Sequence, residues 1–503
     1  MKSLRQFPLG ASFPESPHAV TSSLPTLEDV RGYEEKQPRV MEALRVGYPR
    51  FITHPYVLRL TEEFLKSAGL EGRAGVLVRG QRASVDLREW LNAPSDAMEV
   101  REALFLVHVD ADNREVRERA RQYLQHTGCG VGSRQAEDLL LEMGLLESSY
   151  PEEAVAENAS REVASEVARL CGVQEKDVRL CASGMNAVYA AFQGVRDRQR
   201  RRGRGQWIQL GWLYLDTGCI LREFLGENEQ LHACYDAMDT DTVIRRIREC
   251  GSQLAGLVVE CPTNPVVQVS ELGRISEVVR EAGGVLIADP TIASIYNIKL
   301  IPEADLLVSS LTKYAAHEGD VMAGTMVLNP ESPYYGDLAA NIPEFNVPPY
   351  ERDCRRLAWE MRSAPEVVAA MNRNARQLVE HLRRHPGIQR IYTALDADAF
   401  SGLAQAPDCP GAVFSVELKG SAERFYDAAT VMKGPSFGTW FTLFTPFLYL
   451  AHYDLVSNKR GRGFLRELGM DPELIRISVG TEPYADIKAV VDAALEESVA
   501  PRP

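Results

Sequence analysis

Lys313 lies in Ser309-Ser310-Leu311-Thr312-Lys313-Tyr314, directly after the apolar run Ala304-Asp305-Leu306-Leu307-Val308. A lysine amine at a strand end can form a Schiff base with an aldehyde, and the hydroxyls of Ser310 and Thr312 can reach one phosphate. Upstream, Gly284-Val285-Leu286-Ile287-Ala288-Asp289 reads as a second buried strand, ending in a carboxylate suited to pair with a pyridinium nitrogen. Asp289 and Lys313 then sit at the carboxyl ends of neighbouring strands, where ligands gather in open α/β sheets. Further upstream, Cys181-Ala182-Ser183-Gly184-Met185-Asn186-Ala187-Val188 places Ser-Gly at the start of an apolar helix, whose amides at Gly184 and Met185 would face a phosphate. Each feature alone has a plainer reading as a surface lysine or a helix cap. Together they describe one cofactor, pyridoxal phosphate (PLP), and hence an enzyme.

Elements able to position these groups follow from periodicity. From about 158 to 345, helical patterns alternate with short apolar runs, which signals a mainly parallel α/β sheet. The strands expected are Val178–Cys181, Trp207–Leu210, Gly256–Glu260, Val285–Asp289, Leu306–Ser309 and Ala323–Leu328. A long helix over Pro365 to Arg384 leads into a smaller C-terminal α+β domain (346–503), with a strand at Ala412–Leu418 and a helix at Tyr484–Glu496. Residues 1–60 read as an irregular, proline-rich arm. Residues 61–157 form an extra α/β segment, with a buried strand at Ala103–Val109 and an Arg-rich helix from Asn113 to His126. His126-Thr127-Gly128-Cys129-Gly130-Val131-Gly132-Ser133 resembles a phosphate loop, but the lysine that such a loop requires is missing. The reading is a glycine turn with a serine cap ahead of a helix from Arg134 to Met143. The basic run Arg196 to Arg204 closes a helix whose dipole it complements.

Composition excludes several classes. The 503 residues are 45% hydrophobic, ample for a large core, and the net charge of -14 argues against nucleic acid and anionic membranes as partners. No apolar run approaches the roughly 18–20 residues that span a bilayer. Met1 to Leu24 has no signal-peptide core. The nine cysteines are scattered without metal-type spacing. They read as reduced core thiols of a cytoplasmic protein, with no metal site expected.

Seven motifs in order resemble the Cys/Met-metabolism family of PLP enzymes, which includes cystathionine γ-synthase and the γ- and β-lyases. They are Tyr48-Pro49-Arg50, Ser183-Gly184-Met185, Leu213-Tyr214 with Thr217, Glu260-Cys261-Pro262-Thr263-Asn264-Pro265, Asp289-Pro290-Thr291, Ser310-Leu311-Thr312-Lys313 and Arg476-Ile477-Ser478-Val479-Gly480. The resemblance implies the type I PLP-dependent transferase fold. It also implies a homodimer or homotetramer in which the N-terminal arm completes a neighbouring active site. Lys313 is then the Schiff-base lysine and proton shuttle, and Asp289 the pyridinium partner. Gly184, Met185, Ser310 and Thr312 bind phosphate, joined by Tyr48 and Arg50 of the neighbouring subunit. Tyr214 stacks on the cofactor ring and acts in acid–base steps. Arg476, with Ser436, grips the substrate carboxylate, and Asn264 contacts the cofactor's 3-oxygen or that carboxylate.

Three departures from the family's pattern bear on substrate. Leu215-Asp216 stands where bacterial members carry two small residues, which would place a carboxylate near the substrate's distal end. Phe441 takes the place of the family's usual glutamate, so that Trp440, Phe441 and Phe444 would form an aromatic wall. The long stretch from about Gly80 to Glu157 points to the longer, fungal-type cystathionine γ-synthase branch. The expected activity is γ-replacement or γ-elimination on a γ-substituted L-amino acid, through a β,γ-unsaturated intermediate. An alternative is a γ-lyase on a halogenated or unsaturated amino acid, including alkyne formation. A third reading is a degenerate PLP-binding regulatory protein, against which Lys313, Asp289 and Arg476 argue.

Overall fold

The computed structural model describes residues 4–44, 46 and 51–500. Tyr48 and Arg50 lie outside the described residues.

Three sheets organise the chain. The first contains β1 (Arg73–Arg79), β2 (Asp96–Arg101) and β3 (Leu104–Asp110), in the order β1-β3-β2 and antiparallel throughout. Helices Gln81–Leu91 and Arg114–Thr127 follow β1 and β3, which makes a βαββα unit. At Val78 a single bridge to Gly130 marks where a fourth strand of a split βαβ fold would pair. Alternation along the strands sends side chains to both faces. Val78, Val107 and Val109 pack with Leu87, Val116 and Tyr123. Leu77, Leu104 and Leu106 face the other way, onto Leu60 and Phe64 of helix Pro55–Ser67 and Leu140 of helix Ser133–Glu142. The expected helix from Asn113 is confirmed with Asn113 as its cap, its side chain accepting from the Val116 amide. The serine cap at 133 is not found. Gly132 occupies the cap position, and the Ser133 hydroxyl instead meets His18 Nδ1 at 2.9 Å.

The central sheet comprises β4 (Val178–Cys181), β5 (Gln206–Leu210), β6 (Gln230–Cys234), β7 (Leu254–Glu260), β8 (Val285–Asp289), β9 (Leu306–Ser310) and β10 (Gly324–Leu328). Its order is β4-β10-β9-β8-β7-β5-β6. Strands β6, β5, β7, β8 and β9 run parallel, and β10 is antiparallel to both of its neighbours. All the expected strands here are present. Only β6 was not foreseen, because as an edge strand it reads Gln-Leu-His-Ala-Cys, without the continuous apolar run of a strand buried on both faces.

The third sheet joins β11 (Ile388–Tyr392), β12 (Val413–Leu418), β13 (Met432–Lys433), β14 (Leu443–Thr445) and β15 (Ile475–Ser478) in the order β11-β12-β15-β14-β13. Helix Ala364–Leu382 leads into it, and helix Tyr484–Val499 packs against it through Ile487, Val491 and Leu495. The N-terminal segment is more regular than expected. Pro38 and Pro55 each stand at the first turn of a helix, where the missing N–H costs nothing, and Thr26 with Asp29 forms a capping box. Leu24, Leu27, Val30 and Val40 share a core with Phe425, Tyr426 and Phe444 of the third sheet's layer.

An ionic seam ties the first unit to the rest. Buried Arg134 reaches Glu152 at 2.6 Å and Asp353 at 3.1 Å, and donates to the Asp320 carbonyl at 2.8 Å. Arg352 bonds Asp138 at 2.7 Å and Glu152 at 3.0 Å.

Candidate active site

Parallel β7, β8 and β9 end side by side, so that Glu260, Asp289 and Ser310 meet at one edge, with Lys313 one turn further on. Lys313 is buried and donates to the Ser436 hydroxyl at 2.8 Å, with its Nζ 5.1 Å from the centre of the Phe437 ring. The next residue, Tyr314, has a φ of 62°, a left-handed backbone that costs a non-glycine residue about 1–3 kcal/mol. Its surroundings hold it there. Its amide donates to the Gly438 carbonyl at 2.9 Å and its hydroxyl to the Ile292 carbonyl at 2.7 Å. Gly438 is itself left-handed, and a Cβ on it would fall 2.7 Å from Tyr314 Cδ2.

Asp289 Oδ1 accepts from the Thr291 amide at 2.8 Å and from the Thr291 hydroxyl. Burial pushes its carboxyl up to about 6, against the hydrogen bonds from Thr291. Glu260 pairs with Asp289 across the β7–β8 ladder and accepts from the Tyr214 amide. Its carboxyl is driven well above the usual range, by burial first and by Asp289 second.

A helix start suited to an anion is that of Gly184–Arg200. Ser183 caps it by accepting from the Asn186 amide at 3.0 Å. The amides of Gly184 and Met185 lie in the first turn, where no helix carbonyl can accept from them, and both residues line a cavity of ≈ 70 Å³ with Ser310, Asp289 and Lys313. A Cβ on Gly184 would fall 2.7 Å from Ser310 Cβ, so only glycine permits this approach. Tyr214 and Asn264 line the same cavity.

An adjoining cavity of ≈ 230 Å³ shares Lys313, Tyr214, Asn264 and Phe437 and extends to Arg476. Arg476 is buried between two rings, with its guanidinium carbon 4.9 Å from the centre of Phe437 and 4.8 Å from that of Phe447. It donates to Asn264 Oδ1 at 3.1 Å and to the Ser436 carbonyl at 3.0 Å. Ser436 therefore touches Lys313 through its hydroxyl and Arg476 through its backbone.

Five expected positions differ. The Thr312 hydroxyl is engaged with the backbone of Ala323, donating to its carbonyl at 3.3 Å and accepting from its amide at 3.1 Å, and Thr312 lines neither cavity. Phe441 lines neither cavity and packs against Phe13, with ring centres 4.5 Å apart. Trp440 instead donates to Glu318, and Phe444 stacks on Phe425. The chain turns at Gly438 and bends over 438–441, which carries Phe441 to Phe13 of the arm, so the aromatic wall at the cavity is Phe437 and Phe447. Asp216 is fully buried behind the cavity lining, accepting from Gln125 Nε2 at 2.9 Å and lying 3.0 Å from His126 Nδ1.

Sequence reasoning gave no role to Glu260, Thr291, Tyr314, Phe437 or Phe447. Glu260 could have been found by the rule that found Asp289, a carboxylate closing an apolar strand. No local signal links His126 to Asp216, 90 residues apart.

These residues fit pyridoxal phosphate: an amine, a buried carboxylate lining the same cavity, and a helix start opened by glycine. They define a type I PLP-dependent enzyme. Residues 155–496 match the family described as Cys/Met metabolism PLP-dependent enzyme, and the chain belongs to that family. It is 36% identical over 473 residues to an L-2-amino-4-chloropent-4-enoate dechlorinase/desaturase of Streptantibioticus cattleyicolor, covering 93% of this chain and 94% of that one. It is 26% identical to a cystathionine gamma-synthase of Neurospora crassa, over 97% of this chain and 98% of that one. A solved cystathionine gamma-lyase from Micromonospora echinospora superposes with a TM-score of 0.57 at 25% identity, covering 68% of this chain and 87% of that one. The chain is thus a PLP-dependent enzyme of γ-synthase/γ-lyase type with an amino acid as its small-molecule substrate. Among the described residues no helix is long and apolar enough to cross a membrane.

The raised Asp289 carboxyl has a stability consequence. An acid whose folded pKa lies above its unfolded value loses folding free energy as pH rises, here between 3.8 and about 6. Cofactor-free Asp289→Asn should therefore melt higher than cofactor-free wild type above pH 6, and equally below pH 4, by scanning calorimetry. A lower melting temperature above pH 6 would refute this.

Proposed function

We propose that this enzyme catalyses γ-elimination from an L-amino acid whose γ-carbon carries a small neutral leaving group of halide type, giving an unsaturated amino acid. The observation that carries this reading is the cavity beyond Arg476. Its lining combines an apolar part, Phe437, Phe447, Leu450, Ala451 and Leu215, which suits an uncharged carbon–halogen group, with the polar side chains of Tyr33, Glu34, Lys36, Arg121 and Gln125. Similarity to a dechlorinase/desaturase over nearly the whole chain supports it. Cystathionine γ-synthesis by γ-replacement is the second reading, supported by the Neurospora crassa relative.

Bound PLP supplies the electron sink for charge released at Cα. Arg476 binds the α-carboxylate, pre-oriented by Asn264 and the Ser436 carbonyl. Lys313 Nζ would take the proton from Cα, deliver it to the bound cofactor and, as a free amine again, take one from Cβ, with the Ser436 hydroxyl steering it. Asp289 holds a proton at the pyridine nitrogen, with Thr291 fixing the carboxylate in line. Tyr214, which lines both cavities, would stack on the bound cofactor and could protonate a leaving group that requires it. A chloride departs without a proton. Gly184, Met185 and Ser310 bind the phosphate, and Thr312 supports that turn through Ala323. Tyr48 and Arg50 reach the phosphate of a neighbouring subunit, in a homodimer or homotetramer whose arm, residues 1–60, completes the partner's site. The further division is an extra segment at 61–157, a PLP-binding domain at 158–345 and a C-terminal domain at 346–503. The protein acts in the cytoplasm.

The test is mass spectrometry of products from γ-chloro, γ-chlorovinyl and O-acyl amino acids, each with and without cysteine. Halide release with an unsaturated product, unchanged by cysteine, is expected. Cystathionine from an O-acyl homoserine plus cysteine, with no turnover of the chlorides, would overturn the proposal in favour of γ-replacement.

A further inference from the structure

Helix Arg114–Thr127 of the first unit ends against helix Leu215–Glu223, which starts immediately after Tyr214. Cys219 and Glu223, four residues apart, share one face of the second helix. His126 reaches them from the last turn of the first. One ligand atom from each of the three lies within 4.8 Å of the others. His126 Nε2 is 3.9 Å from Glu223 Oε2. The other ring nitrogen, Nδ1, is 3.0 Å from the fully buried Asp216 carboxylate. A Nδ1–H donated to Asp216 leaves the Nε2 lone pair turned to the cluster, the carboxylate–histidine arrangement that orients metal ligands. Arg222 donates to Cys219 Sγ at 3.3 Å, which a metal-bound thiolate can still accept.

We propose that His126 Nε2, Cys219 Sγ and one Glu223 carboxylate oxygen bind a divalent cation of the zinc class, with water in the fourth position. Mixed nitrogen, sulfur and oxygen donors select zinc over magnesium or calcium, and three protein ligands leave a tetrahedral position open. Burial pushes the Cys219 thiol up to about 11, so the incoming cation displaces the thiol proton to solvent as the metal–sulfur bond forms. Glu223 is partly exposed and gives the ion an entry path, with 41% of its side chain accessible. The ion would clamp the first unit to the helix that carries Tyr214. The sequence could not show this site, because the ligands come from separate helices without metal-type spacing.

The site is independent of the substrate assigned above, and its test needs no turnover. Holoenzyme treated with a chelator is dialysed against zinc, passed through a desalting column and assayed for zinc by mass spectrometry. About one zinc ion per chain is expected in wild type, with at least about tenfold weaker binding in Cys219→Ser, His126→Ala and Glu223→Gln. Cobalt in place of zinc should give the ligand-field bands of a tetrahedral site, at wavelengths beyond any cofactor band. Glu223→Gln alters an exposed side chain, so its result stands even if the buried variants misfold. No retained zinc in wild type, or equal retention in wild type and Glu223→Gln, would overturn the proposal.

Discussion

Lys313→Ala should lower kcat by about 10³-fold or more, since in the proposed reaction one amine serves as covalent anchor and as the base at two carbons. The variant should also fail to trap added PLP on borohydride reduction, whereas wild type gains the cofactor's mass on the peptide containing Lys313. The two readouts separate loss of chemistry from loss of fold, because a misfolded protein would also lose its helical circular dichroism. The buried amine has an alternative partner in the Ser436 hydroxyl at 2.8 Å, so freeing it from the cofactor leaves it positioned and not adrift. A fully active Lys313→Ala enzyme would sink the assignment.

Arg476→Ala should lower kcat/KM by a factor of roughly 30 to several thousand, the 2–5 kcal/mol lost when one partner of a buried charge pair is removed. The loss should fall mainly on KM, because the clamp holds the carboxylate equally before and during reaction. Arg476→Lys should recover little. A single ammonium cannot reach Asn264 Oδ1 and the Ser436 carbonyl together, nor fill the slot between Phe437 and Phe447 as a flat guanidinium does. Cofactor content should be unchanged in both variants. Steady-state kinetics on the best substrate of the γ-substituted panel provide the check, and a wild-type KM in Arg476→Ala would remove the clamp role.

What was legible in the sequence follows the range of the interactions. β8 and β9 were placed to within a residue because a strand buried on both faces carries a continuous apolar run, and Val285–Ala288 and Leu306–Val308 are such runs. The order of strand ends followed from parallel topology, so Asp289 and Lys313 fell together as expected. The error at Phe441 has a different origin. Four residues separate Ser436 from Phe441, but Gly438 turns the chain between them, and the sequence does not say to which side. Phe447, further along and across a strand, takes the place at Arg476 instead. Asp216 was expected at the substrate's distal end. It is held behind the cavity lining by Gln125 and His126, partners supplied by a unit that local patterning could identify but could not dock.

Ser436 gives the enzyme a particular evolutionary constraint. A single residue holds Lys313 Nζ with its side chain and Arg476 with its backbone, so that a substitution there removes the first contact outright and disturbs the second only by shifting the chain. Descendants of this scaffold that adopt new substrates must therefore vary elsewhere. The permissive ground is Leu215, Leu450 and Ala451, which line the cavity without touching either group through a hydrogen bond. Libraries confined to those positions should yield altered substrate preference at nearly constant maximal rate, whereas libraries that include Ser436 should return mostly inactive clones.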